Sequence, residues 1–213
     1  MSRNRPQIEY YFSFISLWSY VGSLAFQEVV KRHDAEVIFK PIALMTVFAA
    51  GGGKPVRERP LQRQAYRLVE MQRWRAFRNI PLNLQPKFYP ADPSLGHRML
   101  LAARRQGSDV TAFAHAGLKA VWADELDIED SATLAGLANR SGLDGAALLA
   151  EAGDPLLRAE EAALTQEAIG RQLFGAPFYF YRDEPFWGQD RLDHLDMALT
   201  HNPVPIPMPR VEE

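Results

Sequence analysis

The sequence predicts an α/β fold interrupted by a large all-helical block. Three observations carry this reading. An alternating aromatic strand lies near the start, a long middle stretch shows only helical periodicity, and strand-like residues return near Phe178.

The first element follows from period-2 spacing. Ile8, Tyr10, Phe12 and Phe14 fall on one face, Glu9, Tyr11 and Ser13 on the other, as in a half-buried strand. Ser16-Leu17-Trp18-Ser19 breaks the alternation, and Val21, Leu24, Ala25, Glu28 and Val29 follow at helical spacing. A serine between strand and helix is a natural N-cap, because its hydroxyl accepts from a free backbone N–H. Val37-Ile38-Phe39 is a second strand, ended by Pro41. Such a β-α-β opening implies parallel strands joined by a right-handed crossover.

The helical block opens after the loop Gly51-Gly52-Gly53-Lys54-Pro55. Leu61, Ala65, Leu68, Met71, Trp74 and Phe77 step by three or four, which is one helix face. Pro93 or Ser94 opens a second helix with Leu95, Met99 and Ala102 inward. Asp109 caps a third, carrying Phe113, Ala114, Leu118 and Val121. Ser131 starts a fourth that Gly142 ends, and Pro155 stands near the start of a last long one.

Phe178-Tyr179-Phe180-Tyr181, a turn at Arg182-Asp183-Glu184, and Pro185-Phe186-Trp187 then read as a hairpin, followed by a helix with Leu192, Leu195 and Leu199. Pro203, Pro205, Pro207 and Pro209 at alternate positions require an extended tail, a plausible strap between protomers. The order β-α-β, helices, β-β-α is that of a thioredoxin-like fold with a helical insertion. The division expected is residues 1–45 with 175–213 as a discontinuous thioredoxin-like domain, and 46–174 as the insertion.

Composition narrows the function. The 213 residues contain no cysteine, which excludes structural disulfides, Cys-ligated zinc, iron–sulfur clusters and a cysteine nucleophile from the protein itself. Lys plus Arg number 24 against 26 Asp plus Glu, a balance that argues against coating nucleic acid. No apolar run approaches the ~20 residues needed to span a bilayer. The basic opening, Met1 to Pro6, precedes no apolar h-region, so a cytoplasmic location is expected. His33, His97, His115, His194 and His201 lack metal-ligand spacing and read as surface or helix-packing residues, with no metal expected.

Ser16-Leu17-Trp18-Ser19 stands where thioredoxin-like enzymes carry Cys-x-x-Cys, with hydroxyls in place of both sulfurs. A serine pair cannot exchange disulfides. The helix N-terminus there still favours an anion by roughly 0.3–1 kcal/mol, and up to ~2 when partly buried. Ser16 is thus either a simple cap or a group that steadies an anion. Ala176-Pro177 occupies the place of a cis-proline facing the first helix, or else opens an edge strand. At Trp187-Gly188-Gln189-Asp190-Arg191, free N–H groups suit a carboxylate and Asp190 an ammonium, although Asp190 also suits a cap. Arg59, Arg63 and Arg67 lie at i, i+4 and i+8, a solvated face or an attractor for anions.

Phe12-Ser13-Phe14-Ile15-Ser16-Leu17-Trp18-Ser19-Tyr20, Phe174-Gly175-Ala176-Pro177 and Phe186-Trp187-Gly188-Gln189-Asp190-Arg191-Leu192 resemble the 2-hydroxychromene-2-carboxylate isomerase family. That family sits in the DsbA-like, kappa-class glutathione transferase group, and the resemblance runs from about Ile8 to Leu199. It implies a homodimer with glutathione as cofactor. Ser16 matches the serine that hydrogen-bonds the glutathione sulfur, Ala176 the residue whose backbone pairs with the cysteinyl unit, and Pro177 the cis-proline. Trp187, Gly188, Gln189 and Asp190 match the segment holding the γ-glutamyl end. The reactive sulfur then arrives with the cofactor.

Lowering a thiol from its ordinary 8.5 to ~7 takes roughly 2 kcal/mol, within reach of one hydroxyl and a helix N-terminus. In the family reaction the thiolate adds to a conjugated carbon, the resulting single bond rotates, and elimination gives the trans-alkene. The sequence departs from the family at Ser13 (usually acidic), Leu17 (usually proline) and Gly53 (often asparagine). Family positions near the aromatic substrate fall around Phe48, Arg57, Glu58 and Phe88, with Arg63 at a basic position. The expectation is a glutathione-dependent isomerase or transferase for a small conjugated aromatic carbonyl compound. A non-catalytic binding or chaperone-like module is the competing reading. Trp74, Trp122 and Phe113 are expected to be exposed and to favour a dimer.

Overall fold

The computed structural model describes residues 5–209, so most of the basic opening segment, Met1 to Asn4, lies outside the described residues. The chain runs β1 (Gln7–Phe12), α1 (Leu17–Arg32), β2 (Glu36–Pro41), α2 (Leu44–Ala50), α3 (Leu61–Arg78), α4 (Ser94–Arg105), α5 (Thr111–Trp122), α6 (Ser131–Arg140), α7 (Gly145–Glu151), α8 (Pro155–Gly170), β3 (Phe178–Tyr181), β4 (Glu184–Trp187) and α9 (Leu192–His201). Single 3-10 turns stand at Val56–Glu58 and Gln189–Arg191.

The sheet order is β2-β1-β3-β4. β1 runs parallel to β2 with Ile8 opposite Val37, and antiparallel to β3 with Tyr11 opposite Phe178. The β3–β4 hairpin turns through Arg182 and Asp183, both at positive φ as a tight two-residue hairpin turn requires. This is the thioredoxin-like order expected, with a helical insertion between β2 and β3.

The expected polar face of β1 is buried as well, Tyr11 as deeply as Tyr10. Helices pack on both sides of the strand. Tyr10 stacks on Phe12 and Tyr179 and meets Phe26 of α1 at 4.9 Å. Tyr11, on the other face, donates to Glu167 of α8 at 2.8 Å. Around Tyr11 the polar groups pair completely. Lys40 donates to Glu9, to Glu167 at 2.7 Å and to the Tyr11 hydroxyl at 3.1 Å. Arg171 bonds Glu9 and Asp183 and lies 3.6 Å from the Phe180 ring centre. Burial alone would raise the Glu9 carboxyl, but hydrogen bonds from Lys40 and Arg171 hold it below the ordinary carboxylate range.

The insertion grips the rest of the fold through Phe14. Its ring lies against Gly96 of α4 and Gly117 of α5, where an added Cβ would come within 2.5 and 2.7 Å of ring carbons. Two helices therefore approach the β1–α1 turn closely only because both positions lack a side chain. Phe113 of α5 closes on the same ring edge-on at 5.7 Å.

Several local expectations change. Trp122 and Phe113 are fully buried and Trp74 is half-buried, because α5 is a central helix of the insertion. Exposed apolar residues of this region include Leu61, Tyr66 and Phe77 on α3. The short helices α2 and α7 lack a periodic run long enough to read from sequence. Ser131 is the first residue of α6, as expected, and Asp130 caps the helix through the Thr133 N–H. The proline tail is extended and lies along its own chain, where Gln172 bonds Pro209 O and Arg182 bonds Pro203 O.

Candidate active site

A cavity of about 750 Å³ opens where the β1–α1 turn, the segment before β3, the β4–α9 junction and α3 meet. It lies within the range usual for small-molecule sites. Ser16, Ala176, Trp187, Gly188, Gln189, Asp190, Phe48 and Arg63 all line it, although they come from five separate parts of the chain.

Ser16 ends the turn after β1, where its own N–H bonds Ser13 O at 2.8 Å. Its hydroxyl caps α1 by accepting from Ser19 N–H at 3.2 Å, and donates to Ala176 O at 3.1 Å. The residue is 3% exposed. The Ala176–Pro177 peptide is cis, which brings the Ala176 carbonyl beside the start of α1. Pro177 lies behind the wall, its carbonyl accepting from Gly188 N–H at 2.9 Å.

At the β4–α9 junction Gly188 takes a φ of 93°, a left-handed value that favours glycine. Gln189 is buried, and its side-chain carbonyl accepts from Arg78 at 3.0 Å. Helix α1 approaches this residue at Gly22, where a Cβ would meet Gln189 Cβ at 2.4 Å. Asp190 caps no helix; its carboxylate pairs with Arg191 at 2.9 Å at the cavity wall. Trp187 is half exposed and packs edge-on against Phe174 at 4.5 Å.

Two predicted substrate positions lie outside the cavity. Arg57 sits on a 3-10 turn facing solvent, 3.7 Å from Glu58, and Phe88 packs under Lys87. The next residue, Tyr89, enters the wall instead because its ring packs on Trp122 at 4.7 Å. Sequence reasoning also missed Trp18, Trp74 and Trp122 as lining residues. Nothing in local spacing separates an aromatic residue of a cavity wall from one of the core.

The arginine stripe is the clearest signal that was visible. Arg59, Arg63 and Arg67 all line the cavity, and among the described residues none of them forms an ion pair. Glu70 and Asp190, the acids in the wall, are paired with Arg73 and Arg191. Arg59 lies over Phe48 and Arg67 over Trp122, at 5.4 and 5.6 Å. Burial holds the Arg67 guanidinium below its usual pKa. The wall is therefore aromatic and cationic, suited to a flat anion.

Behind the β1–α1 turn lies a buried polar chain. His97 Nδ1 meets Glu161 at 3.0 Å, while Nε2 accepts from Phe14 N–H at 3.3 Å and lies 3.3 Å from the Ser13 hydroxyl. Acceptance at Nε2 places the ring proton on Nδ1, toward the carboxylate. His97 thus supports the turn that carries Ser16. Among the described residues no group of three or more His, Asp or Glu side chains is placed to hold a metal ion, and no helix is long and apolar enough to cross a membrane.

Comparison with known proteins agrees with this architecture. The model of the DSBA-like thioredoxin domain matches residues 7–200. The chain is 31% identical to a 2-hydroxychromene-2-carboxylate isomerase from Sphingobium xenophagum, over 90% of this chain and 97% of that protein. A solved 2-hydroxychromene-2-carboxylate isomerase superposes with a TM-score of 0.76 at 26% identity, covering 92% of this chain and 95% of that one. The cytosolic disulfide reductase DsbM from Pseudomonas aeruginosa, solved with GSH, shares the fold at a TM-score of 0.66 and 17% identity, over 92% of this chain and 98% of its own.

Proposed function

The chain belongs to the DSBA-like thioredoxin domain family, within its 2-hydroxychromene-2-carboxylate isomerases, and from that premise we propose that it is a glutathione-dependent isomerase of a small anionic aromatic carbonyl compound. One observation carries the reading. A buried serine hydroxyl, capping α1 beside a cis-proline, faces an aromatic and arginine-lined cavity in a chain without cysteine.

The residues present fit glutathione. Ser16 stands at a helix N-terminus where a thiolate is favoured, and the Ala176 backbone lies beside it. Gln189 and Asp190 offer backbone N–H groups and a carboxylate for the charged γ-glutamyl end, with Gly188 turning the chain there and Trp187 as an apolar wall. When bound, glutathione supplies the thiolate that adds reversibly to a conjugated carbon, so that the neighbouring bond can rotate. The protein's part is to hold the sulfur ionised with Ser16, to hold the substrate's acidic group with Arg63 and Arg67, and to sandwich its ring among Trp18, Phe48, Tyr89 and Trp122. We assign the chain to the cytoplasm and to a homodimer, with the exposed α3 residues Leu61, Tyr66 and Phe77 toward the second copy. Sedimentation at micromolar concentration as a single 213-residue chain would contradict the dimer.

The decisive experiment follows the ultraviolet absorbance of the bound thiolate across pH. Loss of the Ser16 hydrogen bond, worth roughly 1.5–3 kcal/mol to a charged acceptor, should raise the bound thiol's pKa by about one to two units in Ser16→Ala. Turnover at neutral pH should fall about tenfold to a hundredfold, and Ser19→Ala should change little. Superimposable titrations would leave Ser16 as a helix cap. A thermal shift separates the competing reading of a binding module, since a ligand at about 100 times its Kd adds roughly 2.7 kcal/mol.

A further inference from the structure

The turn that carries Ser16 is clamped at one peptide. The Ser13–Phe14 unit stands beyond the end of β1, so the ladders to β2 and β3 do not serve it. Its carbonyl, Ser13 O, accepts from Ser16 N–H at 2.8 Å. Its N–H, that of Phe14, donates to His97 Nε2 at 3.3 Å. The orientation of this one peptide plane therefore decides where Ser16 stands, because rotating it would break both bonds together. Helix α4 supplies the whole grip on Phe14, since Gly96 admits its ring and the next residue takes its N–H.

His97 can hold the plane in only one tautomer. The Phe14 N–H and the Ser13 hydroxyl both face Nε2 at 3.3 Å, as donors sharing one lone pair would. Nδ1 faces Glu161 Oε1 at 3.0 Å, where a carboxylate requires a donor. Arg98 stands 3.5 Å from the other carboxylate oxygen, a cation for its charge. Every bond points the same way, from Ser16 N–H through the peptide and the imidazole to Glu161, so each strengthens the next. His97 and Glu161 are buried. Replacing buried ionic groups by well-packed apolar residues is often neutral or stabilising, so packing alone does not require them at this place. Their placement points to the group the turn presents.

We propose that His97 is a positioning residue of the thiolate site. Held as the Nδ1–H tautomer by Glu161, it fixes the Ser13–Phe14 peptide and thereby the direction in which Ser16 presents its hydroxyl. The assignment rests on the glutathione reading and adds to it a fully buried residue that does not line the cavity. A hydroxyl that steadies a thiolate must be held to within about 0.5 Å of its place, and a loosened turn gives that up. The effect falls on the ionisation of the sulfur rather than on binding, because Trp187, Gln189 and Asp190 stand on a different segment.

Two substitutions divide the imidazole between them. In His97→Gln the amide reaches the place of Nε2 and can accept from Phe14 N–H, while the bond to Glu161 is lost. In His97→Asn the shorter amide reaches the place of Nδ1 and can donate to Glu161, while Phe14 N–H loses its acceptor. Each variant gives up one end of the chain, so a merely structural role lowers both melting temperatures and disturbs the site alike. The readouts are the ultraviolet absorbance of bound glutathione thiolate across pH, and the calorimetric Kd for glutathione measured below the thiol's pKa. The bound thiol's pKa should rise by about half to one unit in His97→Asn and by less than about 0.2 in His97→Gln. Kd should stay within about threefold of wild type in both. Equal rises in the two variants, a larger rise in His97→Gln, or no rise in either would overturn the proposal. Should His97→Asn fail to fold, the wild type carries the test. Nitrogen resonances should show a proton on Nδ1, a bare Nε2 and a coupling across the Phe14 N–H to Nε2 bond, in the free chain and in the glutathione complex. A proton on Nε2, or the absence of that coupling, would overturn it as well. Glutathione that does not bind at all is a separate result, seen in the calorimetry, and removes the reading beneath together with this assignment.

Discussion

Lys40 and Arg171 on one hand, and Arg59, Arg63 and Arg67 on the other, are treated in opposite ways by the same chain. The first two cations meet Glu9, Glu167 and Asp183 and share the Tyr11 hydroxyl. Arg59 meets the Phe48 ring and the Lys54 carbonyl, Arg67 meets the Trp122 ring, and none of Arg59, Arg63 and Arg67 meets a carboxylate among the described residues. Paired charges fix elements to one another, here β1 and β2 to α8. Charges left without a counterion repel each other and are tolerated where a ligand completes them. The comparison assigns the Lys40 cluster to folding and the arginine wall to recognition.

The largest expected effect breaks recognition alone. The double variant Arg63→Met with Arg67→Met should lower affinity for an anionic aryl ligand by about a hundredfold or more, at 1.5–3 kcal/mol per charged hydrogen bond. Its urea unfolding free energy should stay within about 1 kcal/mol of wild type, because no ion pair is lost. Calorimetric titration beside urea unfolding checks both halves. The converse change, Lys40→Met, should cost about 2 kcal/mol of stability and leave ligand affinity unchanged. That figure lies below the 3–5 kcal/mol of a fully buried pair because its carboxylate partners are about a third exposed.

A smaller effect concerns acid. Glu9 has a lowered carboxyl pKa in the folded chain, so its contribution is complete above the ordinary value of 4.5 and is lost as pH falls through the folded value. Glu9→Gln should be less stable near neutrality and show a flatter loss of Tm below about pH 4.5. Salt should have the least effect and the cleanest contrast. From about 50 to 200 mM sodium chloride, ligand affinity should weaken severalfold while Tm barely moves, since the open arginine wall is screened more than the partly buried cluster.

The two clusters also show what a sequence displays and what it conceals. Arg59, Arg63 and Arg67 stand four residues apart, so their shared stripe can be read from spacing. The strand order, the hairpin and the serine at the head of α1 are likewise local patterns, or local patterns in a telling order. The partners of Lys40 lie 31 and 127 residues away, and His97 reaches Ser13 across 84. No periodicity reports such pairs. Ser13 accordingly reads as a residue of a polar strand face and is found buried against His97. Trp122 reads as surplus surface aromatic area, whereas its side chain is buried and its ring edges the cavity. Tyr89 and Phe88 are neighbours of similar character, and only the stacking on Trp122 decides which of them faces the site.

The sheet order has a consequence in time. β1 lies inside the sheet, but one of its two neighbours, β3, is made only after the whole helical block. Ser16 and Ala176 are 160 residues apart. At a synthesis rate of about 5–20 residues per second, the nascent chain carries β1 for on the order of ten seconds before β3 emerges. During that interval Tyr10, Tyr11 and Phe12 present an aromatic strand with one bare edge, the kind of segment most prone to pair with another chain. The demand on cellular chaperones should therefore peak while the helical block is being translated, and ribosome-bound chains stalled just before Phe178 should aggregate more readily than chains extended past Trp187.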